Sequence, residues 1–286
     1  MRNLNENNIT DAVIARFQGC DDPRLKTVLT SLVKHLHAFV RDVEPTEREW
    51  AFGIDFLTRT GHMCDDKRQE FILLSDTLGV TMLVDAINHR IAGKATESTV
   101  LGPFYVADPP ETPMGGGIDW NVEGEPLFVE GQVRSAEGFP LSGVVVDVWQ
   151  SDGDGFYDVQ KPGMDSPSLR ARFRTGPDGR YAFWTVTPSA YPIPTDGPVG
   201  QMLEATGRHP YRPAHVHFML KADGFETLVT QVFAEGDSYL DSDAVFGVKD
   251  SLVRTYEQRP PGKAPDGRVV ERPWRHLSYD FGLKPL

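Results

Sequence analysis

The stretch RPAHVHFMLKADGFETLVTQVFAEG, residues 212–236, contains two apolar runs on either side of a glycine turn. Both runs are rich in β-branched and aromatic residues, which predicts two neighbouring β-strands. Side chains of the first run alternate between two faces, with His215, His217 and Met219 on one and Val216, Phe218 and Leu220 on the other. Two imidazoles on one face of a rigid strand can bind one metal ion. The alternative is a pair of half-exposed strand histidines.

The same period of two extends from about residue 125 to the C-terminus. The runs that predict further strands are Leu127 to Val133 around Gly131, GVVVDVWQ (143–150), RARFRT (170–175), RYAFWTV (180–186) and PWRHLSYDFGL (273–283). The turn GPDG between RARFRT and RYAFWTV predicts a hairpin. SDAVFGVKDSLVRTYEQ, residues 242–258, predicts one late helix. Together the runs predict an antiparallel β-sandwich.

Residues 1 to about 100 predict helices instead. Asp22 before Pro23 is typical of a helix start, because aspartate caps the first turn and proline fits its first position. Apolar residues then recur at helical spacing, at Leu25, Val28, Leu29, Leu32, Val33, Leu36, Phe39 and Val40. Thr46 and Glu49 predict a capping box for the next helix. QEFILLSDTLGVTMLVDAINHRIAG, residues 69–93, predicts one or two more.

The proline- and glycine-rich stretch STVLGPFYVADPPETPMGGGIDW, residues 98–120, predicts a long linking loop. The fold class is therefore mixed α and β, with a helical N-terminal domain over residues 1–105 and a β-sandwich domain over residues 106–286.

The amino-acid composition excludes several classes of protein. The 286 residues are 40% hydrophobic and 24% charged, which is typical of a globular protein. A net charge of −12 argues against a surface for nucleic acid or anionic membranes. The N-terminus has no apolar signal core, and no run approaches a membrane span, so we expect no membrane insertion. The two isolated cysteines, Cys20 and Cys64, favour a reducing, cytoplasmic location.

Two tyrosines are candidate partners for the histidine pair. Tyr157 lies in DGDGFYDVQ (152–160), and Tyr191 lies in the proline-rich TPSAYPIPTDGPVG (187–200). A phenolate is a hard anionic donor and suits a hard ferric ion better than zinc. A calcium loop over Asp152, Asp154 and Asp158 is the competing interpretation, but it lacks the closing glutamate of that pattern.

Several motifs together make the chain similar to the intradiol ring-cleaving dioxygenases. They are LGPFYVADPP (101–110), VVVDVWQSDGDGFYDVQ (144–160), GRYAFWTVTPSAYPIPTDGPVG (179–200) and YRPAHVHFML (211–220). The resemblance covers nearly the whole chain, and LLSDTLG (73–79) with WQSDGDGFYDVQ (149–160) is most similar to the hydroxyquinol branch of the family.

This resemblance implies one non-haem Fe³⁺ per chain, bound by Tyr157, Tyr191, His215 and His217. It implies that O₂ and an aromatic diol or triol are the substrates, that both oxygen atoms enter the product, and that the diol displaces Tyr191 while Tyr157 stays bound. Arg212 would stabilise negative charge on the activated ring, and Gln231 would either bind substrate or only pair across strands. The resemblance also implies a homodimer joined through the helical domain, with a phospholipid at the interface.

The substrate pocket is also taken from the resemblance, which places Leu73, Asp76, Val100, Pro103 and Phe104 on its wall beside Arg212. Asp76 interrupts an apolar stretch, so it would either accept a hydrogen bond from a third ring hydroxyl or cap a helix at a break.

Other interpretations remain. Within the family, the substrate could instead be catechol or a chlorocatechol. A cupin-type oxygenase also uses an HxH strand, but it needs a glutamate a few residues on, where this chain has Lys221 and Ala222. A non-catalytic β-sandwich binding module would leave the tyrosine and histidine set without explanation.

Overall fold

A computed structural model describes residues 2–65, 68–90, 93–118, 122–161, 163 and 167–286 of the chain. Parts of two predicted elements lie outside the described residues. They are residues 91–92 of the predicted helical stretch and residues 119–120 of the predicted loop. The chain forms two compact units, the first ending at Arg59 and the second running from Thr60 to Leu286. In the part of the chain that is described, no helix combines the length and the apolar character needed to cross a membrane.

The first unit is helical. Its elements are α1 (Ile9–Ala15), a 3-10 helix (Arg16–Gly19), α2 (Pro23–Val43) and most of α3 (Glu47–His62). The Asp22 side chain accepts hydrogen bonds from the backbone N–H groups of Arg24 and Leu25, at 2.8 and 3.1 Å, which confirms the predicted cap. The capping box before α3 is also confirmed, because Thr46 N donates to Glu49 at 2.8 Å and Glu49 N donates back to Thr46 at 3.2 Å.

The apolar stripe of α2 lies on an exposed face. No residue of α2 is buried, although the helix is 21 residues long. Leu32 is 56% exposed, Leu36 53% and Phe39 57%. Apolar area of this extent in water is costly, at about 25 cal/mol per Å².

Among the described residues, the α-helices that lie entirely within the second unit are α4 (Glu70–Thr77), α5 (Val80–Asn88) and α6 (Pro198–Ala205). The described part of the stretch 69–93 therefore forms two helices, separated at Gly79, whose φ of +73° favours glycine. Helix α6 was not predicted, because its proline-rich start in GPVG reads as a loop. Pro198 nevertheless occupies the first helical turn, and Glu70 accepts a hydrogen bond from Val199 N at 3.2 Å.

The rest of the second unit is built from strands. They are β1 (Pro126–Ser135), β2 (Val145–Gln150), β3 (Arg170–Arg174), β4 (Arg180–Val186), β5 (Tyr191–Pro192), β6 (Tyr211–Arg212), β7 (His215–Lys221), β8 (Leu228–Ala234), β9 (Val253–Arg254), β10 (Glu257–Arg259), β11 (Gly262–Lys263), β12 (Val269–Val270), β13 (Trp274–Ser278) and β14 (Phe281–Leu283). One five-stranded sheet has the order β3-β2-β7-β8-β9. A second has the order β10-β13-β1-β14, with β4 also pairing β1.

The two five-stranded sheets enclose one apolar core, to which both contribute inward side chains. Gly131 of β1 is required where the chain crosses this strand, because a Cβ there would collide with the carbonyl oxygen of Tyr279. The predicted order of a helical front followed by a β-sandwich is confirmed. The sheets are not purely antiparallel, since β1 pairs β13 and β14 in parallel and β8 pairs β9 in parallel.

The hairpin predicted around GPDG is wrong. Strand β3 pairs β2 in one sheet, whereas β4 pairs β1 in the other, so the turn connects the two layers. Phe173 and Phe183 stack at 5.2 Å between ring centroids. Both strands bury their apolar residues in the same core. They can do so from two different sheets as well as from one.

The late helix predicted over residues 242–258 is also wrong. This stretch contains turns, a short 3-10 helix (Asp250–Leu252) and the strands β9 and β10. The Asp243 carboxylate accepts hydrogen bonds from the backbone N–H groups of Val245 and Gly247, and Phe246 has a φ of +60°. Side-chain bonds of this kind compete with helical ones.

Candidate metal centre

Strand β7 presents two chemically different faces, as the sequence predicts. Val216, Phe218 and Leu220 are fully buried in the sandwich core. His215 and His217 point away from that core, and each is 1% exposed. The neighbours β2 and β8 hold the strand on both edges, with Gln231 of β8 directly opposite His217.

The two tyrosines reach the same place from separate loops. Tyr157 follows β2 and precedes a 3-10 helix (Asp158–Gln160), and its backbone N donates to Gln160 Oε1 at 2.9 Å. The Asp158 carboxylate forms a buried ion pair with Arg170, which anchors this turn. Tyr191 lies on β5, whose only strand partner among the described residues is β6, and it pairs there with Arg212.

Four donor atoms converge at this point. His215 Nε2 lies 3.0 Å from His217 Nε2, His217 Nε2 lies 3.0 Å from the Tyr157 hydroxyl, and the two tyrosine hydroxyls are 3.4 Å apart. Metal bonds of about 2.0–2.2 Å to nitrogen and oxygen place neighbouring ligand atoms about 3 Å apart. The four side chains predicted as ligands are thus spaced as a metal-binding set requires.

The protonation states suit metal binding. Burial, reinforced by the positive charge of Arg212, lowers the pKa of His215 to about 3. Burial lowers the pKa of His217 well below its usual value, with His215 and Arg212 adding to the effect. Both imidazoles are therefore neutral near pH 7 and offer a lone pair. Burial raises the pKa of Tyr157 well above its usual value, and the Tyr191 beside it adds to the shift.

The rings of the two histidines are fixed by different means. His215 Nδ1 lies 2.7 Å from the Pro213 carbonyl oxygen, which selects the tautomer whose Nε2 lone pair faces the other donors. His217 Nδ1 is buried without a hydrogen-bond partner. Its ring instead stacks on Trp149 at 4.6 Å with an interplanar angle of 14°. On the ring's edge lies Gly102, where a Cβ would come within 3.3 Å of His217 Cε1.

The donor set distinguishes this centre from common metal sites. Among the described residues, no group of three or more His, Cys, Asp or Glu side chains could hold a metal ion. Two of the three carboxylates of the alternative calcium loop are engaged elsewhere. Asp152 accepts from Asp154 N, Phe156 N and Lys161, and Asp158 is paired with Arg170.

Arg212 lies directly beside the four donors and is 2% exposed. Its Nη1 is 3.3 Å from His215 Nε2, and its Nη2 donates to Gln231 Oε1 at 2.8 Å. Gln231 Nε2 donates in turn to the Val100 carbonyl oxygen at 2.7 Å. Asp243, which the sequence did not single out, forms an ion pair with Arg212 at 3.0 Å. In the sequence, Asp243 is recognisable only as an acidic residue within a stretch predicted to be a helix.

A cavity of about 210 Å³ contains part of the predicted pocket wall. Leu73, Pro103 and Phe104 line it, together with Arg68 and Gln160. Phe104 also stacks on Tyr157 at 4.4 Å, so this cavity adjoins the tyrosine ligand set. Val100 is 3% exposed and meets the site through its carbonyl oxygen.

Asp76 is buried in the last turn of α4, at 3% exposure, and its Oδ1 has no hydrogen-bond partner. Burial raises the pKa of Asp76, against the opposing effects of the Thr81 hydroxyl and the positive charge of Arg212. The side chain therefore lies within electrostatic range of the Arg212 guanidinium.

The four donors on this β-sandwich are spaced as a metal-binding set requires, and sequence comparison identifies the class of protein. The family model described as "Catechol dioxygenase N terminus" matches residues 22–96, and the model described as "Dioxygenase" matches residues 102–285. The chain belongs to the intradiol ring-cleaving dioxygenases, a family that uses non-haem iron.

Individual relatives agree with this assignment. The chain is 50% identical to the hydroxyquinol 1,2-dioxygenase of Nocardioides simplex, over 98% of this chain and 96% of that one. It is 40% identical to the catechol 1,2-dioxygenase of Candida albicans, over 91% of this chain and 86% of that one. The solved hydroxyquinol 1,2-dioxygenase of Pseudomonas putida is similar with a TM-score of 0.91 and 49% identity, covering 98% of this chain and 99% of that one.

Proposed function

We propose that this chain cleaves hydroxyquinol (benzene-1,2,4-triol) between its two vicinal hydroxyl-bearing carbons. Both atoms of O₂ enter the product, 3-hydroxy-cis,cis-muconate (maleylacetate). The observation that carries the proposal is the convergence of two phenol and two imidazole donors beside a buried arginine. Relatives named for hydroxyquinol share about half of the sequence over nearly the full chain.

One ferric ion per chain fits the donor set, with Tyr157, Tyr191, His215 and His217 as its ligands. When bound, the ion supplies a Lewis acid that withdraws electron density from the aromatic ring. The buried phenol of Tyr157 keeps its proton without a strong positive charge beside it, since burial raises its pKa. A trivalent cation beside the Tyr157 hydroxyl would favour loss of that proton, as a bound metal acidifies its water.

Tyr191 is placed to take a proton from the substrate. The Tyr157 ring is packed against Phe104, and its turn is anchored by Asp158 and Arg170. Tyr191 lies on a two-residue strand paired only with β6 among the described residues. Tyr157 is therefore the more firmly held phenol, and the Tyr191 oxygen acts as the base that accepts a diol proton.

Arg212 supplies the positive charge for the reacting ring. Its guanidinium is buried and cannot lose its proton near neutral pH, while the neighbouring histidines are neutral. Negative charge that develops on a deprotonated diol is stabilised by such a fixed cation in a site that excludes water. Gln231 holds Arg212 through its Oε1, so its contribution to the reaction is to orient this cation.

Asp76 is the group that selects for the third ring hydroxyl. Its Oδ1 is buried without a partner, so a hydroxyl at that position of the ring supplies the missing hydrogen bond. Catechol, which lacks this hydroxyl, leaves the carboxylate oxygen unpaired. Leu73, one turn earlier on α4, and Pro103 with Phe104 provide apolar walls for the ring.

The exposed stripe of α2 belongs at a homodimer interface. None of the 21 residues of α2 is buried, and the first unit also exposes Trp50 at 64% and Phe52 at 66%. A second copy of the chain would remove this apolar area from water. The family resemblance adds a phospholipid at the interface and assigns residues 1–105 to dimerisation and residues 106–286 to catalysis.

A substrate panel tests the proposed function. Iron-loaded protein is incubated with hydroxyquinol, catechol and a chlorocatechol, and O₂ uptake is measured with identification of each product. We expect the highest kcat/KM for hydroxyquinol, with one O₂ consumed per ring opened between the hydroxyl-bearing carbons. If catechol is cleaved in preference to hydroxyquinol, the proposed reaction class stands but the proposed substrate is wrong. No O₂ uptake with any diol would refute the proposal.

A further inference from the structure

Arg212 is held by Asp243 in addition to its contact with His215, one of the proposed metal ligands. Asp243 grips its guanidinium with both carboxylate oxygens, because Arg212 Nε donates to Oδ1 at 3.0 Å and Nη2 donates to Oδ2 at 3.2 Å. This two-point arrangement fixes the plane of the guanidinium as well as its position. With Nη2 also bonded to Gln231, Nη1 is the nitrogen left to face the metal centre.

Asp243 is itself rigidly placed. Its two oxygens accept hydrogen bonds from Val245 N at 3.3 Å and from Gly247 N at 2.9 Å. A Cβ on Gly247 would lie 2.9 Å from Arg212 Nη2 and 3.2 Å from Asp243 Oδ2, so only glycine permits this close approach. Asp243 is 5% exposed, and Arg212 is the cation in hydrogen-bond contact with it among the described residues.

The loop that carries Asp243 is also tied to the end of α4. Arg208 donates from Nη1 to the Thr77 carbonyl oxygen at 2.6 Å and from Nη2 to the Ala244 carbonyl oxygen at 3.0 Å. Arg208 therefore bridges the residue after Asp76 and the residue after Asp243. One side chain thus holds both the end of α4 beside Asp76 and the loop beside Asp243.

From this geometry we infer that Asp243 is a positioning residue for the reaction, acting through Arg212, an inference that rests on the proposed function. Burial alone would raise the pKa of Asp243, but the charge and hydrogen bonds of Arg212 hold it below the usual range. The carboxylate thus stays ionised and aims Nη1 of Arg212 at the reacting ring. Without it, the guanidinium is free to turn away from the orientation in which it stabilises the anionic ring.

The chain offers a matched control for this inference. Asp147 forms an ion pair with Arg172 that is also held at two points, through Nε at 2.6 Å and Nη2 at 2.8 Å; Asp147 is 0% exposed and Arg172 is partly buried. Neither member of this pair contacts a predicted ligand. Asp147→Asn and Asp243→Asn therefore remove equivalent interactions, and only the second concerns the cation of the site.

The test compares these two variants with the wild-type protein. Five quantities are measured: iron content, the visible tyrosinate band, kcat, the dissociation constant for hydroxyquinol under anaerobic conditions, and the melting temperature. We expect Asp243→Asn to keep its iron and its band, to bind the triol within about threefold of wild type, and to lose about 10–100-fold in kcat, as for a small misplacement of a catalytic group. We expect Asp147→Asn to lower the melting temperature while kcat stays within threefold.

Three results would overturn the inference. They are a kcat of Asp243→Asn within threefold of wild type, an equal loss of kcat in both variants, and loss of iron from Asp243→Asn. As a further check, adding Asp243→Asn to Arg212→Gln should change the single-turnover rate by less than threefold, because the residue acts through Arg212. If Asp243→Asn lowers the rate of the Arg212→Gln variant as much as it lowers the rate of the wild type, the inference is also wrong. Wild-type turnover tests the proposed function separately, since the variant ratios are taken on whichever diol the wild type cleaves.

Discussion

Replacing Asp76 by alanine should lower kcat/KM for hydroxyquinol far more than for catechol. The Oδ1 atom of Asp76 is buried and has no hydrogen-bond partner, so it can accept one bond from a third ring hydroxyl. A hydrogen bond to a charged group contributes about 1.5–3 kcal/mol. That range corresponds to a loss of about 10- to 150-fold for hydroxyquinol. Catechol has no group to make the bond, and its kcat/KM should change little.

The assay is O₂ uptake at varied substrate concentration, with Ser75→Ala as the control. Ser75 precedes Asp76 on the same helix, and its hydroxyl pairs at 2.8 Å with Thr81, whose hydroxyl also acts on Asp76, so this variant disturbs the neighbouring hydroxyls without removing the Asp76 acceptor. This control should change the two substrates by the same small factor. The visible iron band should be unchanged in both variants. An equal fall for hydroxyquinol and catechol in Asp76→Ala would show that this carboxylate does not select the substrate.

The same carboxylate should also destabilise the iron-free protein near neutral pH. Burial raises the pKa of Asp76, so its ionised form is disfavoured in the folded state. Asp76→Asn should increase the free energy of unfolding at pH 7, because it removes the negative charge that burial disfavours. Below the unfolded-state pKa of about 3.9 the carboxyl is neutral in both states, and the gain should vanish. Urea unfolding at pH 7 and pH 3.5 measures both values, and an equal gain at the two pH values would contradict this account.

Three further predictions concern the metal centre and the assembly. His217→Ala should lose most of its iron and the tyrosinate band, and full iron occupancy by metal analysis would remove His217 from the ligand set. Light scattering at micromolar concentration should give a dimer mass, with extra lipid mass in native mass spectrometry, whereas a monomer mass would refute the interface on α2. Gly102→Ala should weaken iron binding more than Gly93→Ala. Both glycines have positive φ, +76° and +69°, and both variants incur about 1–2 kcal/mol of strain, but only the Cβ at Gly102 meets His217. Equal iron affinity of these two variants would show that the contact is unimportant.

Local signals in the sequence predicted local structure well. The Asp22 cap, the box of Thr46 and Glu49, and the alternation on β7 each depend on residues a few positions apart. Each is present in the structure. The convergence of Tyr157 and Tyr191 on the two histidines followed from the family resemblance, because 60 residues separate His217 from Tyr157 and no local pattern encodes that contact.

The features that were missed depend on partners distant in sequence. GPDG reads as a hairpin turn, but the pairing of β3 and β4 is decided by which sheet offers each strand an edge. Residues 242–258 carry helical spacing, yet the Asp243 side chain takes up backbone N–H groups and β9 pairs with β8. The importance of Asp243 is visible only when Arg212, 31 residues earlier, is placed beside it.

The two faces of strand β7 have a consequence for how the protein would exchange the metal ion proposed above. Its inward side chains are part of the sandwich core, and both of its edges are hydrogen-bonded to neighbouring strands. The two histidines proposed as ligands therefore cannot separate by the opening of a surface loop, since moving them disrupts the core itself. Backbone amides of β7 should exchange with solvent only through global unfolding. If a bound ion can leave only when these histidines move apart, its release also requires global unfolding. The lifetime of the bound ion should then follow the unfolding rate of the sandwich.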